Sequence, residues 1–305
     1  INTISRESTD YLRVSGLLSA FTALVFANIF HAHYGLDFTW VLLGLLVSGY
    51  YLTKRSLFGK ITDLEILGVK VDNITMDGAV GRVKELFKTQ KKGYVVTPNP
   101  EFIMSAIKDK EFTQILNKAD LSVPDGAGLV WASRIWGTPL QGRVAGRDLF
   151  WELCLEASRR GGRVFLLGAA PGVAEKTAQV LKRRIPKIKI AGTFAGDGSP
   201  KGDEETINRI NQSAHQPIDL LFVAYGHGKQ ERWIKRNLNK VKVKVAVGVG
   251  GTFDYVSGQA VLAPKFIRRL GLEWLYRLAR EPWRMKRQWA LLPFSFLTFK
   301  ESFRR

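Results

Sequence analysis

Arg163-Val164-Phe165-Leu166-Leu167-Gly168-Ala169-Ala170-Pro171-Gly172 is the stretch that decides the fold class. An apolar run of strand length ends at a glycine, turns through small residues and Pro171, and opens into the helical run Val173–Arg184. The same strand-to-helix alternation continues in both directions. Toward the C-terminus, Lys187–Thr193, Asp219–Ala224 and Lys244–Val249 read as strands, with helices at Glu204–Ser213 and Gln230–Leu238. Toward the N-terminus, Leu64–Val71 reads as a strand or hairpin and Thr75–Lys88 as a helix with Thr75 or Asp77 near its start. Tyr94–Thr97 is a short buried strand stopped by Pro98 and Pro100, and Glu101–Ala119 has helical periodicity. A strand running to Asp125 follows, then a helix over Leu129–Ile135, the loop Gly137–Gly146 and a helix over Asp148–Arg159. This order predicts an α/β, Rossmann-like, mostly parallel sheet with helices on both faces.

The two ends of the chain are of a different kind. Between Arg13 and Lys54 only Asp37 carries a formal charge, and the apolar runs Val14–Phe30 and Phe38–Leu52 flank a polar join with His31, His33 and Gly35. At 1.5 Å per residue the runs reach roughly 22–26 Å, somewhat short of the ~30 Å hydrocarbon core. Basic residues flank both ends (Arg6, Arg13, Lys54, Arg55), so a transmembrane helical hairpin is expected with both ends in the cytoplasm. The competing reading is a buried or re-entrant helical hairpin. The expected organisation is therefore a membrane hairpin and linker over 1–60, an α/β core over 61–263 and a basic amphipathic appendage over 264–305.

Formal net charge is +19, which calls for acidic partners: nucleic acid, anionic lipid or a phosphorylated substrate. No nucleic-acid reader motif accompanies the charge. From Pro264 to Arg305 there are eleven basic and three acidic residues, interleaved with Trp, Phe and Leu. Arg277, Arg280, Arg284 and Arg287 recur at three- and four-residue steps, with Trp274, Trp283 and Trp289 among them. That pattern fits either a solvated basic stripe or a membrane surface, where rings sit at headgroup depth and guanidinia meet phosphates. The single cysteine, Cys154, excludes an internal disulfide and reads as a buried structural thiol.

Chemistry is expected at the strand exits, because α/β sheets bind ligands at the carboxyl ends of their strands. Asp125, in Pro124-Asp125-Gly126, is either a functional carboxylate or the N-cap of the next helix. Thr97-Pro98-Asn99-Pro100-Glu101 displays a hydroxyl and an amide on a stiffened loop, or simply caps the helix that follows. Glycines at Gly168, Gly226, Gly250 and Gly251, with Tyr225, Lys229, Gln230 and Asp254 beside them, permit close backbone approach to a phosphate. Three such loops point to a nucleotide or nucleotide-sugar. His227 is an acid/base by type and a polar loop residue by position. There is no Walker A sequence, and no G-x-G-x-x-G followed by a ribose-binding acid, as an NAD-type oxidoreductase would need. No D-x-D pair or His/Cys/carboxylate cluster has metal-ligand spacing, so no metal or other cofactor is expected and a diphosphate would be met by basic side chains and helix dipoles.

Seven blocks, in order, resemble the WecG/TagA/CpsF family of bacterial glycosyltransferases. They are Val96–Glu101, Ala119–Gly126, Arg143–Gly146, Phe165–Gly168, Gly228–Ile234, Gly248–Asp254 and Ala263–Pro264 through Leu272–Arg277. The resemblance implies a metal-independent, inverting transfer of a sugar from a UDP-sugar to an undecaprenyl-diphosphate-linked sugar at the cytoplasmic membrane face. At the level of the family the expected sugar is N-acetylmannosamine or a related one, with hexoses and uronates as the alternatives. It implies further that Asp125 is the general base, that Thr97 and Asn99 shape its pocket, and that Gln230 lies beside the nucleotide. Arg277, Arg284 and Arg287 match arginines of a mobile appendage that engages the diphosphates. The chain departs from the family pattern at Asp197, where an aromatic is usual, and at His227-Gly228, where a small residue and proline are usual. A membrane scaffold that binds nucleotide sugar without turning it over is the non-enzymatic alternative, and a homo-oligomer is compatible with the sequence.

Overall fold

The computed structural model describes residues 63–89, 91–264 and 290–304, together with Ile267, Leu275, Tyr276 and Leu278. The expected membrane hairpin at 1–60 lies outside these residues, as do Trp274, Arg277, Arg280, Trp283, Arg284, Arg287 and Trp289. Among the described residues no helix is long and apolar enough to cross a membrane.

Leu64–Val71 is a hairpin, β1 (Asp63–Ile66) and β2 (Val69–Asp72), which turns at Leu67 and Gly68 with φ of 50° and 88°. Positive φ at both turn residues matches the twist of the paired strands. Side chains attach the hairpin to the core: Asn117 accepts the Lys70 N–H and donates to the Gly68 carbonyl, both at 2.8 Å. The Asp72 carboxylate accepts the Ser122 N–H at 2.6 Å.

The core continues through α1 (Met76–Lys88), capped by the Thr75 hydroxyl, then β3 (Gly93–Val96), α2 (Pro100–Lys108), α3 (Lys110–Asn117) and β4 (Leu121–Ser122). Next come α4 (Ala127–Ile135), α5 (Gly146–Arg159), β5 (Arg163–Gly168), α6 (Val173–Arg184), β6 (Lys189–Phe194) and α7 (Asp203–Ser213). The last elements are β7 (Ile218–Ala224), α8 (Lys229–Asn237), β8 (Val243–Gly248), α9 (Thr252–Val256) and α10 (Leu291–Ser302). Six strands form one parallel sheet in the order β4-β3-β8-β7-β5-β6. The chain lays down β3 and β4 at one side, crosses to build β5 and β6 at the other, and fills the middle with β7 and β8. Because all six run the same way, their exits share one edge, with those of β3, β8 and β7 side by side.

Side-chain alternation sends each central strand's residues to two separate cores. Val164, Leu166, Leu220, Phe222, Val245 and Val247 pack with residues of α1, α5 and α6. Phe165, Leu167, Leu221, Val223 and Ala246 pack with α2, α3, α4 and α8 on the opposite face. The sheet is therefore covered on both sides, as the alternating pattern predicts. Cys154 of α5 is fully buried, and burial pushes its thiol pKa well above the ordinary value, consistent with a structural role.

Two elements differ from the sequence reading. The periodic run Glu101–Ala119 is two helices, because Asp109 adopts extended backbone and its carboxylate accepts the Phe112 N–H at 2.9 Å. A side-chain cap inside an apolar repeat leaves the periodicity intact while turning the axis. The strand before Asp125 is also shorter than expected, ending at Ser122. Pro124 has no N–H with which to extend the ladder beyond Val123, whose N–H still reaches the Val96 carbonyl at 3.0 Å.

Phe222 sits at the centre of the sheet, edge-on to Phe150 with ring centroids 4.6 Å apart. Phe222→Ala is expected to cost about 3–5 kcal/mol in urea unfolding followed by tryptophan fluorescence. Trp131→Ala, at a position 68% exposed, should stay within about 0.5 kcal/mol of the unsubstituted protein.

Candidate active site

Asp125 lies on the exit loop of β4, and its own N–H donates to the Pro98 carbonyl at 2.9 Å, which draws the β3 and β4 exits together. It does not cap the helix that follows. The N-cap of α4 is Gly126, at φ 134° and without a side-chain hydrogen bond. The carboxylate turns instead to the start of α5, where Oδ2 accepts the Gly146 N–H at 3.1 Å. Its other oxygen, Oδ1, is 3.5 Å from Nη2 of Arg143. A helix N-terminus and a guanidinium thus complement the carboxylate's negative charge, while a quarter of the side chain faces solvent.

Thr97 is buried next to it. A Cβ placed on Gly146 would lie 3.3 Å from both Asp125 Oδ2 and Thr97 Cγ2, so the two side chains flank that glycine. The Thr97 hydroxyl donates to the Gly248 carbonyl at 3.3 Å and ties the exit of β3 to that of β8. Asn99 caps α2, accepting the Phe102 N–H at 3.1 Å ahead of Pro100 at the first helical position. The capping reading of this loop therefore holds for Asn99, which also packs against Gly126 of the Asp125 loop. Thr97, Asn99 and Asp125 are brought together.

The Gly-rich exits of β7 and β8 form the other side of the edge. Gly226 and Gly250 have φ of 81° and 53°, and space beside their Cα atoms is open. Asp254, in the first turn of α9, folds back toward Gly251. Between the two loops lie Gln230 and Glu231, both fully buried. Gln230 Oε1 accepts the Gly250 N–H at 3.0 Å, and Nε2 donates to Glu231 Oε1 at 2.7 Å. Glu231 Oε2 accepts the Gly228 N–H at 2.8 Å. Burial pushes the Glu231 pKa up to about 7, against the opposing effect of the hydrogen bonds from Gln230 and Gly228 and the nearby His227.

Several residues at these exits have packing or hydrogen-bonding duties of their own. Gly168 needs its missing side chain for strand packing, since a Cβ there would come 2.8 Å from the Ala224 carbonyl carbon. Tyr225 turns its buried hydroxyl toward Thr206 and packs beneath Gly196 and Gly198, and burial raises its pKa to about 12. Asp197 is held low by the Ser199 hydroxyl and N–H, with Lys229 close enough to add to the effect. His227 stacks on Phe102, ring centroids 4.4 Å apart, with Nδ1 3.8 Å from Glu101 Oε2. It is a packed residue between helices.

Residues 64–305 match the model of the glycosyl transferase WecG/TagA/CpsF family. The chain belongs to this family. It is 40% identical over 209 residues to an N-acetylglucosaminyldiphosphoundecaprenol N-acetyl-beta-D-mannosaminyltransferase of Bacillus spizizenii, covering 68% of this chain and 79% of that protein. Proteins of the same name from Bacillus subtilis (35% over 230 residues, 75% and 88% covered) and Staphylococcus aureus MRSA252 (36% over 216 residues, 70% and 83% covered) are also similar. The chain is thus a glycosyltransferase.

Sequence reasoning missed two residues of this glycosyltransferase edge. Arg143 lies in one of the family blocks, but only the path of the 137–146 loop brings its guanidinium to Asp125. Glu231 follows Gly228 by three residues, the spacing at which a Glu side chain reaches back to an N-cap N–H, and that signal was available.

Gly146→Ala tests the packing around Asp125. The added methyl, 3.3 Å from Oδ2, is expected to displace the carboxylate and lower the rate of glycosyl transfer by roughly tenfold, about 1.4 kcal/mol in barrier. Far-ultraviolet circular dichroism should be unchanged.

Proposed function

We propose that this glycosyltransferase moves N-acetylmannosamine, or a closely related sugar, from its UDP conjugate to a sugar linked to undecaprenyl diphosphate. The observation that carries the reading is the Asp125 carboxylate, part-exposed at the carboxyl edge of the sheet across from the glycine exits of β7 and β8. The relatives' names supply the substrate class.

In the proposed reaction, Asp125 takes the proton of the acceptor hydroxyl as that oxygen forms a bond to the anomeric carbon. The bond from that carbon to the UDP oxygen breaks in the same displacement, so configuration inverts and UDP leaves with the electron pair. The Gly146 N–H on Oδ2 and Arg143 3.5 Å from Oδ1 hold the carboxylate in place for that transfer. Arg143, α-helix N-termini and the arginines Arg277, Arg284 and Arg287 answer the diphosphate charge, with no metal ion in the step.

The acceptor is a lipid, and the proposed location is the cytoplasmic face of the inner membrane, with the apolar hairpin of 1–60 as anchor. An apolar surface on the core supports this reading. Leu292, Phe296, Phe299 and Phe303 form one stripe on α10 and its end, each more than half exposed. The neighbouring α4 adds Trp131 and Ile135. Lys300 and Arg304 border the stripe, an arrangement suited to anionic lipid.

The test is a transfer assay with a panel of UDP-sugars and a synthetic polyprenyl-diphosphate-linked acceptor, read by mass spectrometry in excess EDTA. Inverted product with UDP-N-acetylmannosamine is expected. Activity that needs added Mg²⁺ or Mn²⁺ would overturn the metal-free step. Asp125→Asn should lower turnover by about 10²–10⁴-fold with UDP affinity by calorimetry unchanged, and full turnover in that variant would remove Asp125 as the base.

A further inference from the structure

Glu231 is a fully buried carboxylate whose obvious duty is local. It sits in the first turn of α8 and takes the Gly228 N–H, one half of a capping box. A glutamine would serve that duty as well, since its amide oxygen also accepts, and would avoid burying a charge. The second contact explains why the acid is present. Its other oxygen accepts from Gln230 Nε2, so Glu231 uses both oxygens as acceptors, which only a carboxylate can do.

That second bond fixes Gln230. A carboxylate accepts and a backbone N–H donates, so the Gln230 amide has one satisfying orientation: Nε2 toward Glu231 and Oε1 toward the Gly250 N–H. The chain of bonds runs from the Gly228 N–H through Glu231 and Gln230 to the Gly250 N–H, linking the β7 exit loop to the β8 exit loop. Gly248 lies against its middle. A Cβ there would come 2.7 Å from Gln230 Nε2 and 2.9 Å from Glu231 Oε1, so the strand end is shaped to the pair.

We propose that Glu231 is a positioning residue for the UDP-sugar, which locks the two glycine loops at one spacing through Gln230. The proposal rests on the donor reading above. Glu231 touches no substrate in it, and acts by setting where the N–H groups of the 226–228 and 250–251 loops stand.

The polarity of the chain makes the test specific. In Glu231→Gln one donor must face another: at Gly228, at Gln230, or, if the Gln230 amide turns over, at Gly250. The full-length protein in detergent is expected to show faster amide exchange at both Gly228 and Gly250. The KM for the UDP-sugar should rise by tenfold or more, with kcat at saturation within threefold. The double variant Gln230→Glu with Glu231→Gln restores a consistent pattern, because a carboxylate at 230 accepts from Gly250 and from the new amide, whose oxygen accepts from Gly228. Amide protection at both loops should return in it. A change at Gly228 alone would reduce Glu231 to a helix cap and overturn the proposal, and so would loosened loops with an unaltered donor KM. The exchange measurements need no substrate, so an unsubstituted enzyme inert toward every UDP-sugar would count against the donor reading and leave the loop coupling to be judged on exchange.

Discussion

The arrangement at this edge depends on the end of β8. Gly248 is the last residue of a central strand; its carbonyl accepts the Thr97 hydroxyl, while the space its side chain would fill holds Gln230 and Glu231. One backbone position therefore ties the Asp125 side of the crevice to the glycine loops on the other. The requirement is steric and polar together: the residue must lack a Cβ, and its strand must be buried between neighbours that fix its height. The parallel order β3-β8-β7 meets the second condition, because three adjacent exits leave the sheet in the same direction.

Asp125 shows how the same residue type can be read two ways. An aspartate ahead of a helix is the usual cap, yet here α4 begins on an uncapped glycine and the carboxylate meets another helix's first N–H. The distinction matters chemically. A cap on its own helix would be locked by the local turn. At the start of α5, beside Arg143, the carboxylate is held by groups far along the chain, so its place depends on the path of the 137–146 loop.

The strands and helices around Gly168 were legible because buried parallel strands leave unbroken apolar runs, and helices next to them leave a 3.6-residue repeat. The break at Asp109 was not, since a side-chain cap changes direction without disturbing that repeat. At the site, Thr97, Asn99 and Asp125 stood out as unusual residues at strand exits. Tyr225 and Gly168 stood out in the same way, and each also has a packing duty: the tyrosine hydroxyl is buried, and the glycine yields room to Ala224. Sequence pattern places a residue at an edge and cannot say which way its side chain turns there. Arg143 is the converse case, an ordinary loop cation whose meaning comes from where the loop goes.

The C-terminal helix carries a mechanical consequence for α4. Trp136 Nε1 donates to the Thr298 carbonyl at 2.9 Å, and Phe294 is buried against α4 beside Gly128. The last described helix is thus joined to α4 by a side-chain hydrogen bond and by apolar packing together. Releasing α10 would remove the Thr298 acceptor of the Trp136 indole N–H and uncover the α4 face beside Gly128, so the end of the chain is part of the core's own packing.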